Sequence, residues 1–153
     1  MKIPLCIPDT GEEELNAIKE VLQSGWLAHG PKTKQFEKDF SEYNKVKHAV
    51  SLNSCTSALQ LALIAQNIKG EVILPSFTFS ASANAIVTSG AKPVFADIEY
   101  DTCNINPDKV EEKIGKDTQA IMSVHFGGQS CRMDVIMEIA EKHNLAVIED
   151  SAE

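Results

Sequence analysis

Four small polar residues in a row, Asn53-Ser54-Cys55-Thr56, stand between a short apolar run, Ala49-Val50-Ser51-Leu52, and the helix-forming stretch Ser57 to Leu63. Strand, tight turn and helix are the expected local structure. At such a junction the first helical N–H groups have no intrahelical partner and the backbone dipoles point outward, so small residues leave room for an anion that Ser and Thr hydroxyls also bind. A phosphate fits this description. So does the plainer reading in which Asn53 or Ser54 simply caps the helix.

Other residues able to do chemistry also follow apolar runs: Pro75-Ser76-Phe77-Thr78-Phe79, then Asp97, then His125-Phe126-Gly127-Gly128, then Asp150-Ser151-Ala152-Glu153. Together these groups could hold an anion, stack a flat ring and place a carboxylate beside it. No Gly-x-Gly-x-x-Gly follows a predicted strand, which weakens a dinucleotide reading. Gly25 and Gly30 imitate the start of a P-loop, but Pro31 stands where the phosphate-binding Lys belongs. There is no His-Glu-x-x-His, no clustered His/Cys set and no Gly-x-Ser-x-Gly elbow, so neither a metal site nor a serine hydrolase is supported. A phosphorylated, aromatic, nitrogen-containing cofactor survives. Pyridoxal phosphate is one, since it needs a phosphate cradle, a stacking partner and an Asp that keeps the pyridine nitrogen protonated.

The elements that must position these groups read as an alternation. Apolar runs rich in β-branched residues begin near Ala49, Glu71, Pro93, Gln119 and Leu145, separated by segments with helical periodicity or helix-start signals. Ser80 to Ser89 is Ala-rich and closes on Gly90; Asn106-Pro107 is a cap followed by a helix-start proline; Val135, Ile136 and Ile139 flank a helix ending near Asn144. This pattern predicts an α/β fold, a mainly parallel sheet with helices on both faces, whose ligands bind beyond the carboxyl ends of the strands. Residues 1–45 form an arm outside it: an extended Ile3 to Ile7, a helix opened by a Thr10/Glu13 capping box and closed by Gly25, and a second helix opening near Pro31. The stripe Phe36, Phe40 and Tyr43 on that second helix is expected to be core. The terminal run Leu145 to Asp150 ends in polar residues with no closing helix, as in a chain cut just after a buried strand.

The formal net charge is -8, with 22 acidic against 14 basic residues and no basic patch, which argues against nucleic acid as a partner. No apolar run approaches a membrane span and the first residues lack a signal-peptide core, so the expectation is a cytoplasmic protein with no membrane partner. Cys6, Cys55, Cys103 and Cys131 never form Cys-x-x-Cys and are expected to be reduced and mostly buried.

Five pieces in order, Ser24 to Pro31, Asn53 to Leu59, Pro75 to Phe79, His125 to Gln129 and Glu149 to Glu153, make the chain resemble the first part of the DegT/DnrJ/EryC1/StrS family of PLP-dependent nucleotide-sugar aminotransferases. The resemblance implies a fold-type I PLP-dependent transferase large domain, three-layered and incomplete, with residues 1–45 packing on it and 46–153 forming its first part. It further implies that Thr56 and the amide of Cys55 hold the cofactor phosphate, that Phe79 stacks on the pyridine face and that Asp150 pairs with the pyridine nitrogen. Glu153 stands where many relatives have Gln or His, facing the cofactor's hydroxyl side. There an anion would repel a phenolate unless protonated or swung away. Trp26, Leu27 and His29 lie in a loop, Trp26 to Pro31, that resembles one approaching the sugar substrate.

Plainer readings stand beside each role: Asp150 as a helix cap, Phe79 as core, Trp26 packing within its own subunit, and His125 as a hydrogen-bonded structural residue. The resemblance implies a homodimer that transfers an amino group, from an amino acid such as glutamate, to a nucleotide-linked keto-sugar of the 4-keto-6-deoxy kind, in cell-surface polysaccharide or amino-sugar biosynthesis. The lysine that carries the cofactor in such enzymes lies beyond the equivalent of Asp150. No catalytic residue is therefore assigned within the chain, and the 153-residue piece is expected to be inactive in transamination. Two alternatives stay open: a PLP-dependent sugar dehydratase of the same family, and a non-catalytic α/β binding module.

Overall fold

The apolar run Val72-Ile73-Leu74 lies in an interior strand, and all three side chains are fully buried. Successive residues of a strand point to opposite faces, so Val72 and Leu74 join one buried cluster and Ile73 the other. A strand covered on both faces is apolar throughout rather than alternating, which is how β1 (Glu71–Pro75) reads. The computed structural model describes residues 3, 4 and 7–153. Leu5 and Cys6 lie outside the described residues, and with them part of the extended segment expected over Ile3–Ile7.

Two units divide the chain, Met1–Ser51 and Leu52–Glu153. In the second, α3 (Cys55–Ala65) precedes β1; then come α4 (Ser80–Ser89), β2 (Lys92–Ala96), α5 (Pro107–Lys113), β3 (Thr118–Val124), α6 (Met133–His143) and β4 (Ala146–Asp150). The four strands are parallel in the order β2-β1-β3-β4, so the direction of winding reverses between β1 and β3. Such a reversal opens a crevice at the carboxyl ends of the strands. Leu59 and Leu63 of α3 with Ala85 and Ile86 of α4 cover one face; Val110 of α5 with Ile136 and Ile139 of α6 cover the other. Fully burying a Leu or Ile side chain contributes about 1.5–3 kcal/mol, and Leu63, Ile86, Val110 and Ile136 have no exposed surface. The three-layer α/β expectation holds.

Local signals set the boundaries. Asn106 accepts the Asp108 N–H at 2.9 Å and Pro107 occupies the first turn of α5, while Gly90 closes α4 in the left-handed region. In the first unit, α1 (Glu12–Ser24) ends at Gly25 and α2 (Pro31–Tyr43) starts at its proline, as expected.

Four expectations need correction. The N-cap of α1 is Gly11, not Thr10, and Glu14 rather than Glu13 reaches back to it, accepting the Gly11 N–H at 2.6 Å. Ala49 to Leu52 is not a strand: it has no ladder partner among the described residues, and Ser51 instead donates its N–H and hydroxyl to Glu37, each at 2.8 Å. The stripe Phe36, Phe40 and Tyr43 is not buried; Phe36 and Phe40 lean on each other with ring centroids 5.8 Å apart, and Tyr43 is 86% exposed. Periodicity identifies an apolar face but not what covers it. Of the described cysteines, all free thiols, only Cys131 is buried.

Candidate functional site

The start of α3 carries both of the readings that its sequence allows. Ser54 is the N-cap, its hydroxyl accepting the Ser57 N–H at 3.2 Å, and the Ser54 carbonyl accepts the Ala58 N–H. That leaves the N–H groups of Cys55 and Thr56 without a protein acceptor among the described residues, at an exposed helix end whose dipole favours an anion.

Asp150 closes β4 and is 5% exposed. Its Oδ2 accepts the Ser82 hydroxyl at 2.7 Å; its Oδ1 accepts the Ala152 N–H at 3.2 Å and the Cys55 thiol at 3.5 Å. One carboxylate thus meets the first turns of both α3 and α4. Burial first, and then the Asp150 charge and its hydrogen bond, push the Cys55 thiol above its usual value. Phe79 is the N-cap of α4 and 79% exposed, which rules out the reading as core and leaves a ring face open beside the same helix end.

Glu153 accepts the Gly127 N–H, so its carboxylate is turned toward the short turn Phe126–Gly128. Gly127 and Gly128 both lie at positive φ, +62° and +76°, and the Gly128 N–H turns back to the His125 carbonyl at 3.1 Å, leaving the Gly127 N–H to meet the carboxylate. Buried Asn104 holds this turn: its Oδ1 accepts the Phe126 N–H at 3.0 Å and its Nδ2 donates to the Gln129 and Ser130 carbonyls. His125 has both ring nitrogens engaged. Nδ1 accepts the Cys131 N–H at 3.2 Å, which makes Nε2 the donor to Glu149 at 2.9 Å, and the structural reading of His125 follows. Asp97, after edge strand β2, is exposed and has no side-chain hydrogen bond among the described residues.

In the first unit, Trp26 folds over its own loop, donating its indole N–H to the His29 carbonyl at 3.1 Å. Gly30 lies directly beneath the ring, where a Cβ would stand 2.2 Å from Trp26 Cδ1. Trp26 and Leu27, with Glu20, Ser24 and Lys32, line a cleft of about 400 Å³. His29 Nε2 is 3.3 Å from Glu37, whose carboxyl is held below its ordinary value, chiefly by the Ser51 N–H and hydroxyl.

The sequence singled out Cys55, Thr56, Phe79, Asp150 and Glu153. The structure joins Cys55 to Asp150 directly, sets Phe79 at the helix end that also supplies Ser82, and engages Glu153 with the glycine turn. Ser82 and Asn104 were missed. Thr78 and Ser82, spaced i, i+4 across a helix start, carried a signal; Asn104, in an irregular loop, carried none.

A phosphorylated pyridine fits these residues. Each carboxylate oxygen offers two lone pairs, and Oδ2 of Asp150 spends only one, leaving an acceptor for a ring N–H. Two unpaired amides at α3 suit a phosphate, and the exposed Phe79 ring suits stacking.

Residues 8–153 match the family model of the DegT/DnrJ/EryC1/StrS aminotransferase family. The spore coat polysaccharide biosynthesis protein SpsC of Bacillus subtilis (strain 168) is 51% identical over 152 residues, covering 98% of this chain and 39% of that protein. Among solved structures, S. venezuelae DesV in complex with a ketimine intermediate superposes with a TM-score of 0.87 at 40% identity, over 92% of this chain and 40% of that one. The Bacillus subtilis protein NtdA with bound cofactor PMP gives a TM-score of 0.88 at 40% identity, over 91% of this chain and 32% of that one. The chain thus spans about two-fifths of the length of the curated relative it matches.

Proposed function

The chain belongs to the DegT/DnrJ/EryC1/StrS aminotransferase family, and from that membership we propose that it carries the cofactor site of a pyridoxal-phosphate enzyme moving an amino group from an amino acid to a nucleotide-linked keto-sugar. The donor is glutamate and the sugar is of the 4-keto-6-deoxy class. The enzyme works as a cytoplasmic homodimer in polysaccharide or amino-sugar biosynthesis. The reading is supported by relatives that include a spore coat polysaccharide biosynthesis protein and a structure with bound PMP. The observation that carries it is buried Asp150, gripped from two helix ends with one lone pair of Oδ2 left over.

In this reading Thr56 and the amides of Cys55 and Thr56 hold the phosphate, and Phe79 covers one face of the ring. Bound there, pyridoxal phosphate supplies an electron sink whose strength depends on a protonated ring nitrogen. Asp150 holds that proton at the nitrogen. Glu153 lies toward the ring hydroxyl, and the Gly127 N–H draws its charge aside. Trp26, Leu27 and His29 contact the sugar.

Titration with pyridoxal phosphate tests the site. A saturable spectral change is expected, weakened at least about tenfold in Asp150→Ala and Thr56→Ala, the usual worth of a charge-assisted hydrogen bond. An unaltered spectrum at roughly millimolar cofactor would refute it. For the full-length protein, amino transfer from glutamate to a nucleotide-linked 4-keto-6-deoxy sugar is expected; loss of water from the sugar without amino transfer would make it a dehydratase instead.

A further inference from the structure

Ser82 has no exposed surface, and a buried hydroxyl is tolerated only when its hydrogen bonds are made. Its Oγ lies 2.7 Å from Asp150 Oδ2 and 2.8 Å from Thr78 Oγ1. An ionised carboxylate only accepts, so Ser82 donates to Asp150. With its single proton spent there, it accepts from Thr78, and the chain has one direction: Thr78 to Ser82 to Asp150. Both donors to the other carboxylate oxygen are longer, at 3.2 and 3.5 Å. The tightest contact on Asp150 therefore falls on the oxygen that keeps a spare lone pair.

Resting on the assignment of Asp150 to the ring nitrogen, we infer that Ser82, oriented by Thr78, is a positioning residue for the pyridine nitrogen. By occupying one lone pair of Oδ2 it fixes the rotation of the carboxylate and aims the other. Phe79 sits three residues earlier at the N-cap of the same helix. One end of α4 thus carries the residue that stacks on the ring and the residue that aims the carboxylate at its nitrogen, so the two alignments are set together.

The test uses the full-length protein with two readouts: the Kd of pyridoxal phosphate by equilibrium dialysis, and the 15N chemical shift of the bound cofactor labelled at the ring nitrogen, which separates pyridinium from neutral pyridine. Ser82→Ala is expected to weaken binding about ten- to a hundredfold and to move the shift toward neutral pyridine. Ser82→Thr keeps the donor and is expected to retain both. Thr78→Val removes only the outer link and is expected to move both readouts in the same direction by less. Wild-type values in Ser82→Ala, or weaker binding with an unmoved pyridinium shift, would overturn the positioning role. If Ser82→Ala does not fold, an unmoved shift in Thr78→Val overturns it equally. Asp150→Ala separates the two ideas: if it loses both readouts while Ser82→Ala keeps them, only the role of Ser82 falls. If Asp150→Ala itself binds as wild type, the assignment of Asp150 falls and takes this inference with it.

Discussion

Cys55 sits where two opposing influences on a thiol meet. The first turn of a helix ordinarily stabilises a thiolate, but Cys55 also donates to the Asp150 carboxylate, and burial together with that charge raises its pKa. The upward influences win: partial burial acts first, and the Asp150 carboxylate adds a full charge 3.5 Å away, whereas the helix end is a partial one. Cys55 is therefore a poorer nucleophile than its exposure suggests. Peptide-resolved alkylation at pH 8 should modify it more slowly than a cysteine in an unstructured peptide. Asp150→Asn removes the charge, lowers the thiol pKa and should speed the reaction by a factor of about 2–10; an unchanged rate would show that the carboxylate does not govern the thiol. Cys55 stands out in the sequence as a small residue in a phosphate turn. Its contact with Asp150 crosses 95 positions, and no local pattern encodes that.

At the scale of elements, the turn between β3 and α6 depends on one side chain from elsewhere. Asn104 makes three hydrogen bonds to it while almost fully buried. Asn104→Ala removes all three hydrogen bonds that hold the turn and should cost about 1–3 kcal/mol, seen as a lower denaturant midpoint and faster hydrogen exchange at the Phe126 amide. Gly127→Ala probes the same turn differently. No atom lies within 4 Å of the added Cβ, so the cost is conformational alone, arising from a φ of +62°. That should be about 1–2 kcal/mol, with Glu153 losing its donor if the turn relaxes; stability equal to wild type would show that the turn tolerates an L side chain there. The helix starts and stops around the sheet were readable because a cap is a local event: Asn106 with Pro107, and Gly90, act within a few residues. The supposed strand at Ala49 to Leu52 failed for the complementary reason, since a strand is defined by a partner, and its Ser51 groups go to Glu37.

For the whole molecule the decisive fact is where the buried side chains come from. Among the described residues, both clusters are built only from residues between Leu59 and Ile148, all in the unit Leu52–Glu153, with α3 and α4 on one face of the sheet and α5 and α6 on the other. Helices α1 and α2 bury no residue of their own, although both are amphipathic. This is also why the alternating part of the sequence was readable and the Phe36 stripe was not: a run buried on both faces of a sheet announces its covering helices in the same chain, whereas a helix stripe leaves its partner unspecified. If the second unit owns its core, a chain of residues 52–153 should fold alone and melt in one cooperative transition. Its Tm should lie within about 5 °C of that of the 153-residue chain, corresponding to roughly 1 kcal/mol for a domain of this size. Circular dichroism against temperature decides it. A non-cooperative melt, or a chain that stays unfolded, would mean that Met1–Ser51 supplies stability that neither buried cluster reveals.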